Sequence, residues 1–322
     1  MSTFISPHFQ LHQLADGVFA AIHQEGGAAQ SNAGIIDLGD RVLIFDTFIA
    51  PAAAADLREA VAALFSRPVS ALINSHYHND HIWGNQAFPS DVPIISTIKT
   101  RELITTLGAD EHRWFAEHSQ ERLDALIVQL DQANDEVSRR LIAYSVTYYR
   151  TILDTLPELQ IRLPNVTFAN QMEFHGPRRV AHLICYGGGH TPSDSILYLP
   201  EERIIFMADM LFTGTHIYLP DGDPDEIRRT LSQIMQLPAE TLVPGHGGLG
   251  NAGDVGRMIH YIDRLETLVE EGLQRGMTDD DLAHLPMPDE YRDWIFPAFF
   301  PSNLRFLYEL RTKGAIASTS GS

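Results

Sequence analysis

Apolar and polar positions along this chain follow two alternating rhythms. Residues 33–38 and 41–46 are apolar runs separated by Gly39-Asp40, a turn pair, and they predict a β-hairpin. Pro51 then opens a stretch in which Leu57, Val61, Leu64 and Phe65 share one helical face, stopped by Ser66-Arg67-Pro68. Residues 69–74 read as a buried strand running directly into Ser75-His76, and residues 92–97 as another short strand. Between 100 and 163 the strand signal vanishes. Leu123, Leu126, Ile127, Leu130, Val137 and Leu141 recur there mostly at steps of one, three or four, which predicts amphipathic helices. Strand patterns resume at 166–168, 179–185, 195–199 and 203–208, and helical ones at 225–235, 254–275 and 301–311. Strands on both sides of a helical block predict an α/β fold. It is read as one domain over residues 1–322, with residues 100–163 as a helical insertion and candidate lid.

Composition narrows the function classes. Lys and Arg number 23 against 42 Asp and Glu, a formal net charge of −19 over 322 residues. Lysine occurs only at Lys99 and Lys313. Such a chain is a poor partner for long nucleic acid or an anionic membrane surface, both of which need a basic face. The single cysteine, Cys185, rules out an intrachain disulfide framework and reads best as a buried, inert thiol within a strand. The first residues carry no basic segment followed by an apolar one, so a signal peptide is not expected and a cytoplasmic location is.

Five of the 15 histidines gather in three short segments, each just after a predicted strand. The densest is His76-Tyr77-His78-Asn79-Asp80-His81. Clustered imidazoles would repel if charged, and buried neutral ones need separate partners. A cation resolves both problems, because neutral imidazole nitrogen and carboxylate oxygen are ordinary ligands of zinc and its neighbours. His76 and His78 lie two apart on an extended segment and face one side, while Asp80 and His81 reach a second position beyond the turn. His190 follows Gly187-Gly188-Gly189, Asp209 ends the 203–208 strand, and His246 sits in Pro244-Gly245-His246-Gly247. Strand ends project loops from a rigid scaffold, where function concentrates.

In order and type these segments resemble the metal motifs of the metallo-β-lactamase superfamily, and the hairpin of residues 31–47 resembles its opening strands. The resemblance spans roughly residues 16–275 apart from the helical block. It implies a four-layer αββα sandwich with a two-metal site at one sheet edge. His76, His78 and His190 would bind one ion, Asp80, His81 and His246 the other, and Asp209 with a water or hydroxide would bridge them. The ions are two divalent cations, zinc first, with manganese and iron compatible with the same donors. Two such ions about 3.5–4 Å apart lower the pKa of bound water to near 7 and stabilise a developing oxyanion. Asp80 is also the candidate catalytic residue, orienting the nucleophile or passing a proton to the leaving group.

The function this implies is hydrolysis of an ester, thioester, lactone or amide bond in a small molecule. Asp209 stands where secreted antibiotic-degrading members often use Cys, which favours the thioesterase and lactonase side of the family. The alternatives are a small phosphodiester hydrolase, a mononuclear iron dioxygenase of the same fold, and a non-enzymatic binding module. Around the motifs, Asp194 reads equally as a partner of a ligand histidine or as a turn residue, and Asn85 as a turn amide rather than a substrate contact. His216 and Tyr218 are expected to line the pocket. Trp114, Tyr144, Tyr148 and Tyr149 could wall it or simply pack as core. The helical block and the apolar C-terminal segment around Trp294-Ile295-Phe296 and Phe299-Phe300 offer surfaces for a homo-oligomer.

Overall fold

A computed structural model describes residues 4–319. Two sheets carry the chain. The first contains β1 (Phe9–Ala15), β2 (Val18–His23), β3 (Ala33–Asp37), β4 (Val42–Phe45), β5 (Val69–Ile73), β6 (Ile94–Thr97) and β7 (Val166–Phe168), in that spatial order. Pairing is antiparallel from β1 to β4 and parallel from β4 to β7. The second contains β8 (Gln171–His175), β9 (Val180–Ile184), β10 (Ile196–Leu199), β11 (Ile204–Phe212) and β12 (Thr241–His246). Its strands pair antiparallel except for the parallel β11–β12 pair.

Strands β3, β4 and β11 are buried along their whole length, so they read as continuous apolar runs rather than alternating ones. One face of each fills the space between the sheets, where Ile36, Leu43 and Phe45 meet Leu197, Phe206 and Val243. The outer face of the first sheet is covered by α1 (Pro51–Leu64), which buries Ala53, Ala54, Leu57, Ala60 and Val61. Each fully buried side chain of Leu size contributes about 1.5–3 kcal/mol. The outer face of the second sheet is covered by helices later in the chain. Here α6 (Pro224–Ile234) and α7 (Ala252–Gln274) pack with the short α8 (Asp279–Ala283) and with α9 (Phe299–Thr319). The result is the expected αββα sandwich.

The helical block takes a more specific form than an appended insertion. It consists of α3 (Ile98–Thr105), α4 (Leu107–Gln132) and α5 (Glu136–Thr155), and the remaining short helix, α2 (Asn79–Ile82), precedes it. The block begins directly after β6 and its chain returns as β7, which pairs in parallel with β6. It is therefore an enlarged crossover between two neighbouring parallel strands. On α4, Gly108, Phe115, Ser119 and Leu123 are buried at seven-, four- and four-residue steps, the stripe that seats it on the sandwich and α5.

Candidate metal centre

Each proposed ligand sits where a strand or its following turn delivers it. The chain leaves β5 at Ile73 and passes through His76 and His78, and α2 presents Asp80 and His81. Asn85 ties this segment down. Its amide nitrogen donates to Asn74 Oδ1 at 2.9 Å, and its carbonyl oxygen accepts from Thr47 Oγ1 at 2.9 Å. It is a structural amide, as the sequence favoured. His190 lies in the loop after β9, where Asp194 accepts from the Thr191 backbone N–H at 2.9 Å and hydroxyl at 2.8 Å. Asp194 thus fastens the loop and does not touch the His190 ring; burial pushes its pKa up to about 6.

Asp209 departs from its expected place. Strand β11 continues to Phe212, so Asp209 lies inside the strand and not at its end. Pairing with β12 is irregular on either side of Ala208, whose φ is 45°, and this bulge re-aims the next side chain into the cluster. Left-handed backbone at the non-glycine residues Asp46, Phe48, Ala208 and Phe296 places further strained positions in or beside the site. His246 ends β12, and Asn32 holds that end by donating to the carbonyls of Pro244 and Gly247, each at 2.9 Å. A side chain at Gly245 would collide with the Asp209 carboxylate, so glycine is required for this close approach.

The seven residues converge as a metal-binding cluster in two groups, His76–His78–His190–Asp209 and Asp80–His81–His246. His78 Nδ1 lies 3.1 Å from His76 Nε2 and 3.0 Å from His190 Nε2. Asp209 reaches both groups: its Oδ2 is 3.1 Å from His190 Nε2, and its Oδ1 is 3.1 Å from His81 Nε2. His246 Nε2 stands 3.3 Å from Asp80 Oδ2 and 3.4 Å from Asp209 Oδ2. All seven are buried. His81 Nε2 and Asp209 Oδ1 are buried without a hydrogen-bond partner, as expected of donor atoms aimed at a shared guest. Burial holds the His76 imidazole well below its ordinary pKa, with His81 adding to the effect. Burial also opposes charging of His81, but Asp209, Asp80 and Asp46 outweigh it and raise that ring. Five imidazoles and two carboxylates in one buried space fit divalent cations better than shared protons.

Three residues at the site were not singled out from sequence. Asp46, fully buried, accepts from Ser75 N–H, Ser75 Oγ and His81 Nδ1, each at 2.8 Å. It fixes His81 with Nε2 toward the cluster. An aspartate ending the apolar run at 42–45 was its only trace in the sequence. Asp221 Oδ2 lies 2.9 Å from His78 Nε2 and accepts from Tyr77 Oη at 2.8 Å. Glu111 on α4 is partly buried beside them. Burial, with Asp80 and Asp221 adding, pushes its pKa up to about 8 against the pull of His78.

The cluster floors a cavity of about 550 Å3, whose lining includes His78, Asp80, His190, Asp209 and His246. Trp114, Phe115, Tyr148 and Tyr149 from the crossover wall it, and Tyr218 lines it as expected. Tyr144 packs instead between His23 and Phe296. His216 is turned away, buried with its Nδ1 2.6 Å from Tyr261 Oη. The C-terminal aromatic segment is also turned inward. Phe296 and Phe299 line the cavity, Phe300 is buried, and Trp294 packs on Tyr261, so the segment serves its own chain rather than an open contact surface. Cys185 is only partly buried, lies just past β9, and belongs to a separate cavity of about 690 Å3 that contains none of the ligands.

Comparison with known proteins agrees with the geometry. The profile of the metallo-beta-lactamase superfamily matches residues 26–246, and the chain belongs to that superfamily. Solved structures with the same fold include a metallo-beta-lactamase from Pontibacter korlensis (TM-score 0.56, 17% identity, 78% of this chain and 97% of that one). TMB-1 is similar to the same degree (TM-score 0.56, 15% identity, 79% and 97%). A curated relative is the 2,4-dinitroanisole O-demethylase subunit alpha of Nocardioides sp. strain JS1661, 27% identical over 241 residues. That match takes in 72% of this chain and 54% of the relative, so the chain spans about half the length of the protein it matches. Among the described residues no helix is long and apolar enough to cross a membrane.

Proposed function

We propose that this chain is a two-metal hydrolase of small molecules, with zinc the first choice of ion, acting on an ester, thioester, lactone or amide carbonyl. The observation that carries the reading is the placement of Asp209, whose two oxygens face the two ligand groups at 3.1 Å each, as a shared ligand would. His76, His78 and His190 would hold one ion, and Asp80, His81 and His246 the other. When bound, two divalent cations supply a water of lowered pKa and a Lewis acid for the developing oxyanion. Asp80 is 8% exposed at the cavity floor, so one of its oxygens can orient the attacking water, take its proton and return it to the leaving group. Asp46, Ser75 and Asp221 keep the imidazoles in the orientation this needs.

The curated relative, named as an O-demethylase of 2,4-dinitroanisole, favours a second reading of the same centre: removal of the methyl group of an aryl methyl ether, which with water as co-reactant would give the phenol and methanol. Among the described residues no lysine or arginine lines the cavity, which counts against a phosphodiester substrate. The deciding experiment combines elemental analysis with a panel of carboxylic esters, thioesters, lactones, β-lactams, aryl methyl ethers and chromogenic phosphodiesters. We expect close to two metals per chain, turnover on a carbonyl or aryl ether substrate, and loss of both the second metal and turnover in Asp80→Ala. Less than one metal per chain, with turnover unchanged in His78→Ala, overturns the proposal. Dominant iron content with oxygen-dependent turnover favours the dioxygenase alternative.

A further inference from the structure

Above the ligands the cavity wall is made of rings that lock one another. Phe115 stands 6.5 Å from Tyr149, Tyr149 5.4 Å from Tyr148, and Tyr148 5.6 Å from Phe296. Phe296 stacks on Phe299 at 5.0 Å, and Phe299 meets Tyr218 at 5.1 Å. The same Phe296 ring lies 6.1 Å from the His246 imidazole, so the chain of rings reaches the cluster itself. The rings come from three separate places, the crossover helices, the loop after β11 and the segment that runs into the start of α9, and none of these belongs to the metal motifs. Rings held by rings are preorganised, and flat surfaces at 4.5–7 Å spacing are what an inserted aromatic ring packs on, face or edge.

The charge of the wall is equally one-sided. Among the described residues the lining holds carboxyl groups and no lysine or arginine: Asp80 and Asp209 in the cluster, and Asp110, Glu111 and Asp221 beyond it. Asp110 is paired with Arg113 at 3.0 Å, but among the described residues Asp221 has no cation beside it other than the cluster, and Glu111 brings none to the wall. Arg122 lies over the Trp114 ring, 5.9 Å from its centroid, and does not line the cavity. A substrate carboxylate held away from the ions would therefore meet carboxylates and find no basic partner, an arrangement that selects by repulsion.

We propose that this cavity takes a small aromatic compound carrying no anionic group, seated between the crossover rings and Phe296, with its reacting bond over Asp80 and Asp209. The inference rests on the cluster being the reacting centre, and it adds what the wall accepts and rejects. It places β-lactams and acyl groups bearing a free carboxylate among the rejected compounds.

Binding, rather than turnover, tests it on the metal-loaded protein. Three amides differ in one feature each: acetanilide, 4-acetamidobenzoate with a distal carboxylate, and N-cyclohexylacetamide without the aromatic ring. Dissociation constants are read by ligand-observed NMR titration. Acetanilide is expected to bind at least tenfold more tightly than either analogue, a difference of about 1.4 kcal/mol. Tyr149→Ala should shrink its advantage over the cyclohexyl compound and leave its advantage over the benzoate in place. Equal or tighter binding of 4-acetamidobenzoate or N-cyclohexylacetamide, or no binding of acetanilide, overturns the proposal. The hydrolase reading fails separately, through metal content and the substrate panel, whatever the order of these three constants.

Discussion

Asp221 Oδ2 lies 2.9 Å from Nε2 of His78, so the ring nitrogen that faces away from the metal cluster is held by a carboxylate 143 residues further along the chain. A ligand imidazole anchored this way is fixed in tautomer and orientation, and its other nitrogen becomes a better donor. Asp221→Asn keeps the shape and removes the charge. It should weaken metal binding at the first ligand group by about 10–100-fold. Competition against a chromogenic chelator measures this directly, and an unchanged affinity would show that the contact does not orient the ring.

Asp46 supports the second group in the same manner but from a fully buried position. Its loss in Asp46→Ala leaves Ser75 N–H, Ser75 Oγ and His81 Nδ1 without their shared acceptor. Each buried group left unsatisfied costs about 1–3 kcal/mol. Thermal denaturation of metal-free protein should therefore show a lower Tm, and elemental analysis of the loaded form a deficit of one ion.

Gly245 is a test of packing against the shared ligand. Gly245→Ala places a methyl group against the Asp209 carboxylate and within 2.8 Å of the Ala208 carbonyl carbon. Either the carboxylate moves or the β11–β12 pair opens. We expect a destabilisation of roughly 1–3 kcal/mol by overpacking, together with loss of metal. Full metal occupancy at wild-type stability would mean that the strand ends yield more easily than their bulged pairing suggests.

Glu111 makes stability depend on pH in a stated direction. Its pKa rises from 4.5 to about 8 in the folded, metal-free chain, chiefly through burial. Between those values the folded state keeps a proton that the unfolded state has released. The folded state is thus increasingly penalised as pH climbs from 4.5 toward about 8. Glu111→Gln removes this dependence, so the variant should gain Tm over wild type at pH 8 and lose that gain at pH 4.5. Parallel Tm curves for the two proteins across that range would contradict the assignment.

Much of this site was legible before any fold was known. Six residues from His76 to His81 offer four ligands, and His190, Asp209 and His246 complete a set whose order along the chain is informative. The hairpin at β3–β4 and helix α1 followed from a turn pair and an apolar period, because local propensity and burial agree there. Position within β11 did not follow. The strand outruns its apolar signal through a bulge, and a bulge depends on its partner strand.

The sequence by itself determined the ligand types, their order and an α/β succession of elements, since these rest on residue chemistry and on apolar periods that act over a few positions; the αββα layering was implied only by the family resemblance of the motifs. Only the tertiary structure decided what surrounds the ligands. Asp46 and Asp221 become partners of His81 and His78 across separations of 35 and 143 residues. The aromatic wall assembles from three segments that no spacing rule connects. Phe296 and Phe299, from a segment apolar enough to suggest a partner's surface, line the cavity of their own chain. Burial of those rings depends on which elements meet in space, and that is set by the packing of two sheets and their helices rather than by any local pattern.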